Sequence, residues 1–412
     1  MKKILIALLV LAAKASYGQD CATLAANKPS ISVRFQDEMT QSGAGPKVTM
    51  SMAGLKPQLG KAENWIKGIL KNFTGAKLAY SNEYYFDLGN DTWAEELYNA
   101  TGIKGFYAAK MRFYAYYCYE NNNKIFTESE SGSFVQIHFN SVFGSGLCKE
   151  AGVYTVNGKY AFEIFAKTRT EGRIDYYERI AMANDFDTIY KSKSDVIIIR
   201  DNDQPLFIKI TRKEYLGQLF KDVEAYKNSE VATAKANYNP ANEAANKAQL
   251  DAELKRIDNS KSYTPEQMAP YRKRLIETWE TEKQKFDKRM AGIETDVNGA
   301  REALQVYMNK PQEWLNRSFN HFYSYSSYSA KNIKKYCDDL DVSRYSPEEE
   351  TGTLVVSLNP DYYNKSLGAD VPQLIVVQVT KGSYAHMKKV AELIKRPGAL
   401  APLEAILTPG KK

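Results

Sequence analysis

"DVIIIRDNDQPLFIKITRKEYLGQLF", Asp195 to Phe220, changes its period part-way along. Val196 to Ile199 form a β-branched run, Asp201 to Pro205 carry turn chemistry, and Leu206 to Ile210 resume an apolar run. That pattern reads as strand, turn, strand. Thr211-Arg212-Lys213-Glu214 then makes a capping box, and Leu216, Leu219, Val223 and Tyr226 follow at helical spacing. Residues 105–210, before this switch, alternate every two positions, and residues 212–308, after it, repeat every three or four. The expected fold is therefore α+β: a mainly antiparallel β-sheet body with a long, coiled-coil-like helical hairpin inserted.

Working towards the N-terminus, Val135, Ile137 and Phe139 alternate with Gln136, His138 and Asn140. "VYTVNGKYAFEIFAK" holds Asn157-Gly158 between alternating runs, a strong hairpin signal, and "KTRTEGRIDYYE" turns at Glu171-Gly172. "RFYAYYCYE", Arg112 to Glu120, carries apolar side chains on both faces, so it reads as the centre of the sheet, covered on both sides. Trp65, Ile66, Ile69, Leu70 and Phe73 predict a helix that Gly75 ends, and Thr92 with Glu95 opens another over 92–99. Residues 19–60 are polar and turn-rich, with one alternating patch at Ile31, Val33 and Phe35, and are expected to be poorly structured.

Working towards the C-terminus, Thr264-Pro265-Glu266-Gln267 combines an N-cap, an N1 proline and an N3 glutamine. Phe286, Met290, Ile293, Val297, Ala300, Leu304 and Tyr307 then step by alternating fours and threes, a heptad seam. Residues 212–308 therefore predict a helical hairpin or three-helix stalk. Residues 309–412 contain two buried strands and a closing helix, too thin to stand alone, and are expected to pack on the 61–211 domain.

The 412-residue chain has a formal charge of +7, with 43% hydrophobic and 25% charged residues, which is ordinary globular composition for two or three domains. Met1-Lys2-Lys3, the apolar run Ile4 to Ala13 and Ser16-Tyr17-Gly18 form a signal-peptide pattern that predicts cleavage near Gly18. Loss of Lys2, Lys3 and Lys14 with residues 1–18 lowers the charge to +4, which gives no nucleic-acid footprint. No stretch is long and apolar enough for a transmembrane helix. The expected compartment is periplasmic or extracellular. Cys21, Cys118, Cys148 and Cys337 in an oxidising compartment predict disulfides, with three pairings open. Cys118–Cys148 is the local choice, and closing that loop is worth about 3–4 kcal/mol in the chain-entropy model.

"PLFIKITRKEYL" (205–216) and "LNPDYYNKSLGADVPQLIVV" (358–377) resemble segments of an uncharacterised family of exported proteins from Gram-negative bacteria. With the signal peptide, the resemblance covers about a third of the chain. It implies export, and it carries over no activity and no catalytic residue.

Chemistry-bearing residues are sparse. His138, His321 and His386 are the only histidines, and none has a partner at metal-motif spacing, so neither a metal nor a cofactor is expected. His138 lies on the polar face of its expected strand, which predicts a solvated sheet face; paired with Cys118 it is a conceivable dyad. Asp87 and Asp91 flank "LGN" as a carboxylate pair, but glycosidase chemistry needs burial that nothing in the sequence supplies. Gly144-Ser145-Gly146 lacks the strand-then-helix setting of a nucleophile elbow. The expected function is an exported, non-enzymatic binding or scaffold protein of the bacterial envelope. Its interaction surface would be Trp279, Phe286, Met290, Ile293, Val297 and Leu304, engaging an envelope protein or a second copy. The alternatives are an envelope hydrolase acting on glycan or peptide, and an aromatic-lined small-ligand carrier.

Overall fold

The computed structural model describes residues 20–41, 52–87, 106–119, 124–129, 132–142, 145–147, 154–165, 167–178, 193–318, 353–368, 370–382 and 386–407. The signal-peptide residues 1–18, the helix expected over 92–99, Asp91, Gly144, Cys148, His321 and Cys337 lie outside them. In chain order the elements begin with α1 (Cys21–Asn27), β1 (Ile31–Arg34), β2 (Glu38–Gln41), α2 (Met52–Ile69), β3 (Ala76–Asp87) and β4 (Phe106–Tyr119). β5 (Lys124–Thr127), β6 (Phe134–Phe139), β7 (Tyr154–Val156), β8 (Lys159–Phe165), β9 (Lys167–Glu171) and β10 (Ile174–Glu178) follow. Next come β11 (Lys193–Arg200), β12 (Phe207–Lys209), α3 (Arg212–Asn237), α4 (Glu243–Asp258), α5 (Pro265–Met308) and α6 (Gln312–Leu315). β13 (Thr353–Leu358), β14 (Leu374–Lys381), α7 (Met387–Ile394) and α8 (Ala401–Glu404) complete the order. No helix among the described residues is long and apolar enough to cross a membrane.

The chain divides into two compact units. The first contains Met1–Tyr154, Tyr160–Lys209 and Glu348–Lys412, and the second contains Thr155–Lys159 and Ile210–Pro347. In the first, a ten-stranded sheet has the order β1-β3-β4-β6-β14-β11-β10-β9, with β2 also on β3 and β5 also on β4. β1 and β2 run parallel to β3, and the other pairings are antiparallel. The sheet is therefore mixed, and its centre is occupied by β14 from the C-terminal segment. Leu374 to Val379 are apolar except for Gln378, as suits a strand flanked by β6 and β11 and buried on both faces.

One face of this sheet is covered by helices. Leu55, Leu59, Ala62, Trp65 and Ile66 of α2, with Leu70 and Phe73 beyond it, form one core with Tyr80, Phe113, Ile137, Val377 and Ile197, joined by Met387 and Val390 of α7. On the other face a second core joins Val196, Ile198 and Val376 to Phe162, Ile164, Leu354 and Val356. Those last four belong to a small sheet of order β12-β13-β8-β7.

Two sequence expectations change here. Residues 19–60 were expected to be poorly structured, yet α1, β1, β2 and the first half of α2 lie within them. Pro57 and Gly54 disguise the start of α2, while Leu55 and Leu59, fully buried, extend its stripe across the proline. The two strands expected on either side of Asp201–Pro205 both form, in different sheets. β11 stays in the large sheet and β12 joins the small one, with Asn202 tying the turn between them to Tyr362 O. Finally, "RFYAYYCYE" is covered on both sides only in part: Phe113 is buried, but Tyr117 and Tyr119 are 44% and 53% exposed.

The second unit is helical. Both expected capping boxes close, Thr211 with Glu214 on α3 and Thr264 with Gln267 on α5. α5 is 44 residues long, about 66 Å at 1.5 Å per residue. Tyr215, Leu216, Leu219 and Val223 of α3 and Ile293, Val297, Ala300, Leu304 and Tyr307 of α5 are buried. At the base, Tyr307 stacks on Trp314, and the buried Arg212 guanidinium lies 4.6 Å from the Trp314 ring centroid.

Candidate functional site

The densest polar chemistry lies on the large-sheet face opposite α2. Strand alternation sends Tyr80 and Tyr84 to the helical core and leaves Ser81 and Glu83 on the reverse face. There Glu83 accepts from Gln136 Nε2 at 2.7 Å and from Arg112 at 3.0 Å, and it pairs with Lys110 at 2.9 Å. Arg112 also donates to Ser81 Oγ and to Glu38. Further along the face, His138 Nε2 lies 3.3 Å from Gln378 Oε1. Gln378 Nε2 donates to Thr380, whose hydroxyl contacts Ser194 at 2.9 Å. Gly146 closes over Gln378 in a left-handed conformation, and a Cβ there would come within 2.9 Å of the amide nitrogen.

His138 is 1% exposed, which corrects the expectation of a solvated sheet face. Burial, opposed by the Gln378 hydrogen bond and the Glu83 charge, pushes its pKa down to about 4. The imidazole is thus neutral and only weakly basic near pH 7, a poor match for a general base. Cys118 is not its partner. It forms a disulfide with Cys21 (Cα–Cα 5.6 Å), so neither the Cys118/His138 dyad nor the Cys118–Cys148 pairing exists. In register, Ile125 of β5 stands opposite Cys118. The bridge spans 97 positions, worth about 4–5 kcal/mol in the chain-entropy model. Asp87 ends β3 with its side chain outside the described residues, so the carboxylate pair with Asp91 forms no described site.

Comparison with family models, with curated proteins and with solved structures finds no match. Residues 205–216 and 358–377 are brought together in the fold. Asn359 donates from Nδ2 to Pro205 O and from its backbone N–H to Leu206 O. Asn202 donates to Tyr362 O, and Tyr362 donates its hydroxyl to Gln373 O. Gln373 accepts from Asn364 N–H and donates its own N–H to Asn140 Oδ1. Asn140 holds φ 60°, a left-handed conformation that asparagine tolerates. Asn140, Asn202, Asn359, Tyr362 and Gln373 thus tie β11, β12, β13 and β14 together. Asp201 lies in the same knot; burial raises its pKa, and Tyr362 and Asn202 oppose the shift.

Among the described residues, no group of three His, Cys, Asp or Glu side chains is placed to hold a metal ion. Of the seam residues, Ile293, Val297 and Leu304 are buried inside the second unit, so they are not the open surface expected of them. Trp279, Phe286 and Met290 are half-buried. Sequence reasoning missed Glu83, Lys110, Arg112 and Gln378. The single amide in "LIVVQV" was the available signal for a polar element inside a buried face.

Proposed function

We propose that the chain is an exported, non-enzymatic binding or scaffold protein of the bacterial envelope, and that α3, α4 and α5 form a helical hairpin through which it engages a partner. Cross-helix contacts that advance on α3 and α4 while receding on α5 carry the reading. Glu224 meets Arg301, Lys227 meets Glu294, Glu230 meets Arg289, Tyr238 packs on Phe286, Glu243 meets Lys283 and Asp258 meets Arg272. This order fits antiparallel packing, with residues 238–242 shifting the register. Near α3 the apolar seam is consumed internally, so the partner surface lies distally. There Leu275, Ile276, Trp279 and Phe286 are half-buried, and Tyr263 and Tyr271 are 60% and 45% exposed. Half-covered apolar stripes on thin helical elements gain stability when a second surface covers them.

The Cys21–Cys118 disulfide supports an oxidising compartment. The hydrolase alternative draws no support from a weakly basic, deeply buried His138. A shortened chain that joins Val231 to Lys288 through a short Gly/Ser linker keeps the Glu224–Arg301 end of the seam and removes the distal surface. In pull-downs from envelope extracts and in light scattering, the shortened chain is expected to lose the partner or the oligomer that the full chain shows. A full chain that is monomeric and captures the same proteins as the shortened one refutes the proposal.

A further inference from the structure

β4 outruns β3. Its residues up to Ala115 pair with β3, whereas Tyr116 to Tyr119 pair with Thr127 to Lys124 of β5. The result is a two-stranded ribbon with two different faces. On the back, Cys118 is bonded to Cys21 of α1, and Tyr116 is buried with Lys28 Nζ 4.3 Å from its ring centroid. On the front, Tyr117, Tyr119 and Phe126 are 44%, 53% and 39% exposed. Phe126 stacks on Tyr117 at 6.0 Å and meets Tyr119 edge-on at 5.9 Å, so the three rings make one continuous aromatic surface.

We propose that Tyr117, Tyr119 and Phe126 form a stacking platform for a pyranose ring of a neutral glycan. The inference is independent of the hairpin. Three rings at these exposures present roughly 300 Å², given 150–250 Å² for a whole aromatic side chain. A stable protein interface needs roughly 800 Å² from each partner, so the patch is too small for a second copy and suits one or two sugar rings. The composition fits as well: ring faces carry negative quadrupole density that attracts the polarised C–H face of a sugar, and the phenol hydroxyls can bond its hydroxyls. By register Lys124 stands on this same face beside Phe126, and Glu128, just beyond β5, accepts from the Ala115 N–H at 3.3 Å. Their opposite charges leave no cationic row for a nucleic-acid backbone. The disulfide behind the ribbon fixes the rings in advance, which lowers the ordering cost of binding.

The test titrates the full chain, by calorimetry, with linear hexamers of β-linked glucose, β-linked N-acetylglucosamine and α-linked glucose. At least one is expected to bind with a Kd between about 10 μM and 1 mM. Tyr117→Ala and Phe126→Ala are each expected to weaken that binding by about tenfold or more. Tyr119→Phe should weaken it about two- to threefold through loss of one hydroxyl. Should Phe126→Ala fail to fold, Tyr119→Ala, at the exposed end of β4, replaces it with the same expectation. Absence of binding by all three hexamers at millimolar concentration overturns the proposal, as does unchanged binding by the folded ring-to-alanine variants.

Discussion

In the first unit the Glu83 carboxylate is enclosed by Lys110, Arg112 and Gln136, with its side chain 3% exposed. In the second, Glu224 and Glu230 meet Arg301 and Arg289 with side chains 32–50% exposed. Both arrangements pair carboxylates with cations, yet they differ in what happens when the pair is lost. Water re-solvates either partner of the helix pairs, so each contributes only about 0–1 kcal/mol. On the sheet face water has been displaced, and a missing partner leaves a charge stranded. The sheet face is therefore intolerant of change, and the helices hold mainly through the thin seam of Ile293, Val297 and Leu304.

The sharpest way to break that contrast is a matched pair of substitutions. Glu83→Ala is expected to destabilise the first unit by about 3–5 kcal/mol, since Lys110 and Arg112 lose their shared carboxylate. Glu224→Ala is expected to cost the second unit less than about 1 kcal/mol. Denaturant unfolding, followed by hydrogen exchange in peptides from each unit, separates the two. Equal costs would mean that burial does not distinguish the two kinds of pair.

Local chemistry was readable in the sequence. Thr211 and Thr264 cap their helices as expected, and the Asn157-Gly158 turn forms with both residues at positive φ. These features depend on neighbours within a few positions. What escaped depends on distant partners. That β14 lies between β6 and β11 follows from pairings of Val377 with Ile137 and Ile197, far apart in the chain. The polar face of β6 was legible as polar, but its burial was not, because alternation says which side a residue faces and not what covers it. The same gap explains the heptad seam: the stripe from Ile293 to Leu304 was plain, while its internal burial was invisible. Cys21 pairs with Cys118 because α1 lies on the β4–β5 ribbon, a placement that no spacing encodes.

Acid extends the contrast from charges to protons. His138 has a folded-state pKa of about 4 against roughly 6.5 when unfolded. Between those values the unfolded chain binds the proton and the folded chain does not, so stability falls as pH drops from about 6.5 to 4. The full loss is about 3 kcal/mol, at 1.36 kcal/mol per unit, and no further loss from this group follows below pH 4. His138→Gln is expected to flatten that slope in the first unit. A first unit equally stable at pH 7 and pH 4.5 would contradict the burial of a neutral imidazole.

Asp222 on α3 has the opposite sign. Its Oδ1 accepts from Gln218, while Oδ2 is buried without a hydrogen bond, and burial pushes the carboxyl up to about 6. Between pH 6 and the ordinary carboxylate range, the folded state holds a proton that the unfolded state has released. Stability of the second unit therefore rises as pH falls through this window. Water reaches part of the side chain, so the gain is discounted to about 1 kcal/mol. Asp222→Asn is expected to remove the slope and to stabilise the second unit at pH 7 by a similar amount. Hydrogen exchange at pH 7 and pH 5 should then show α3 protection rising on acidification in the parent chain and staying level in the variant. If both chains lose α3 protection together, the carboxyl is ionised in the folded state and the opposed response of the two units disappears.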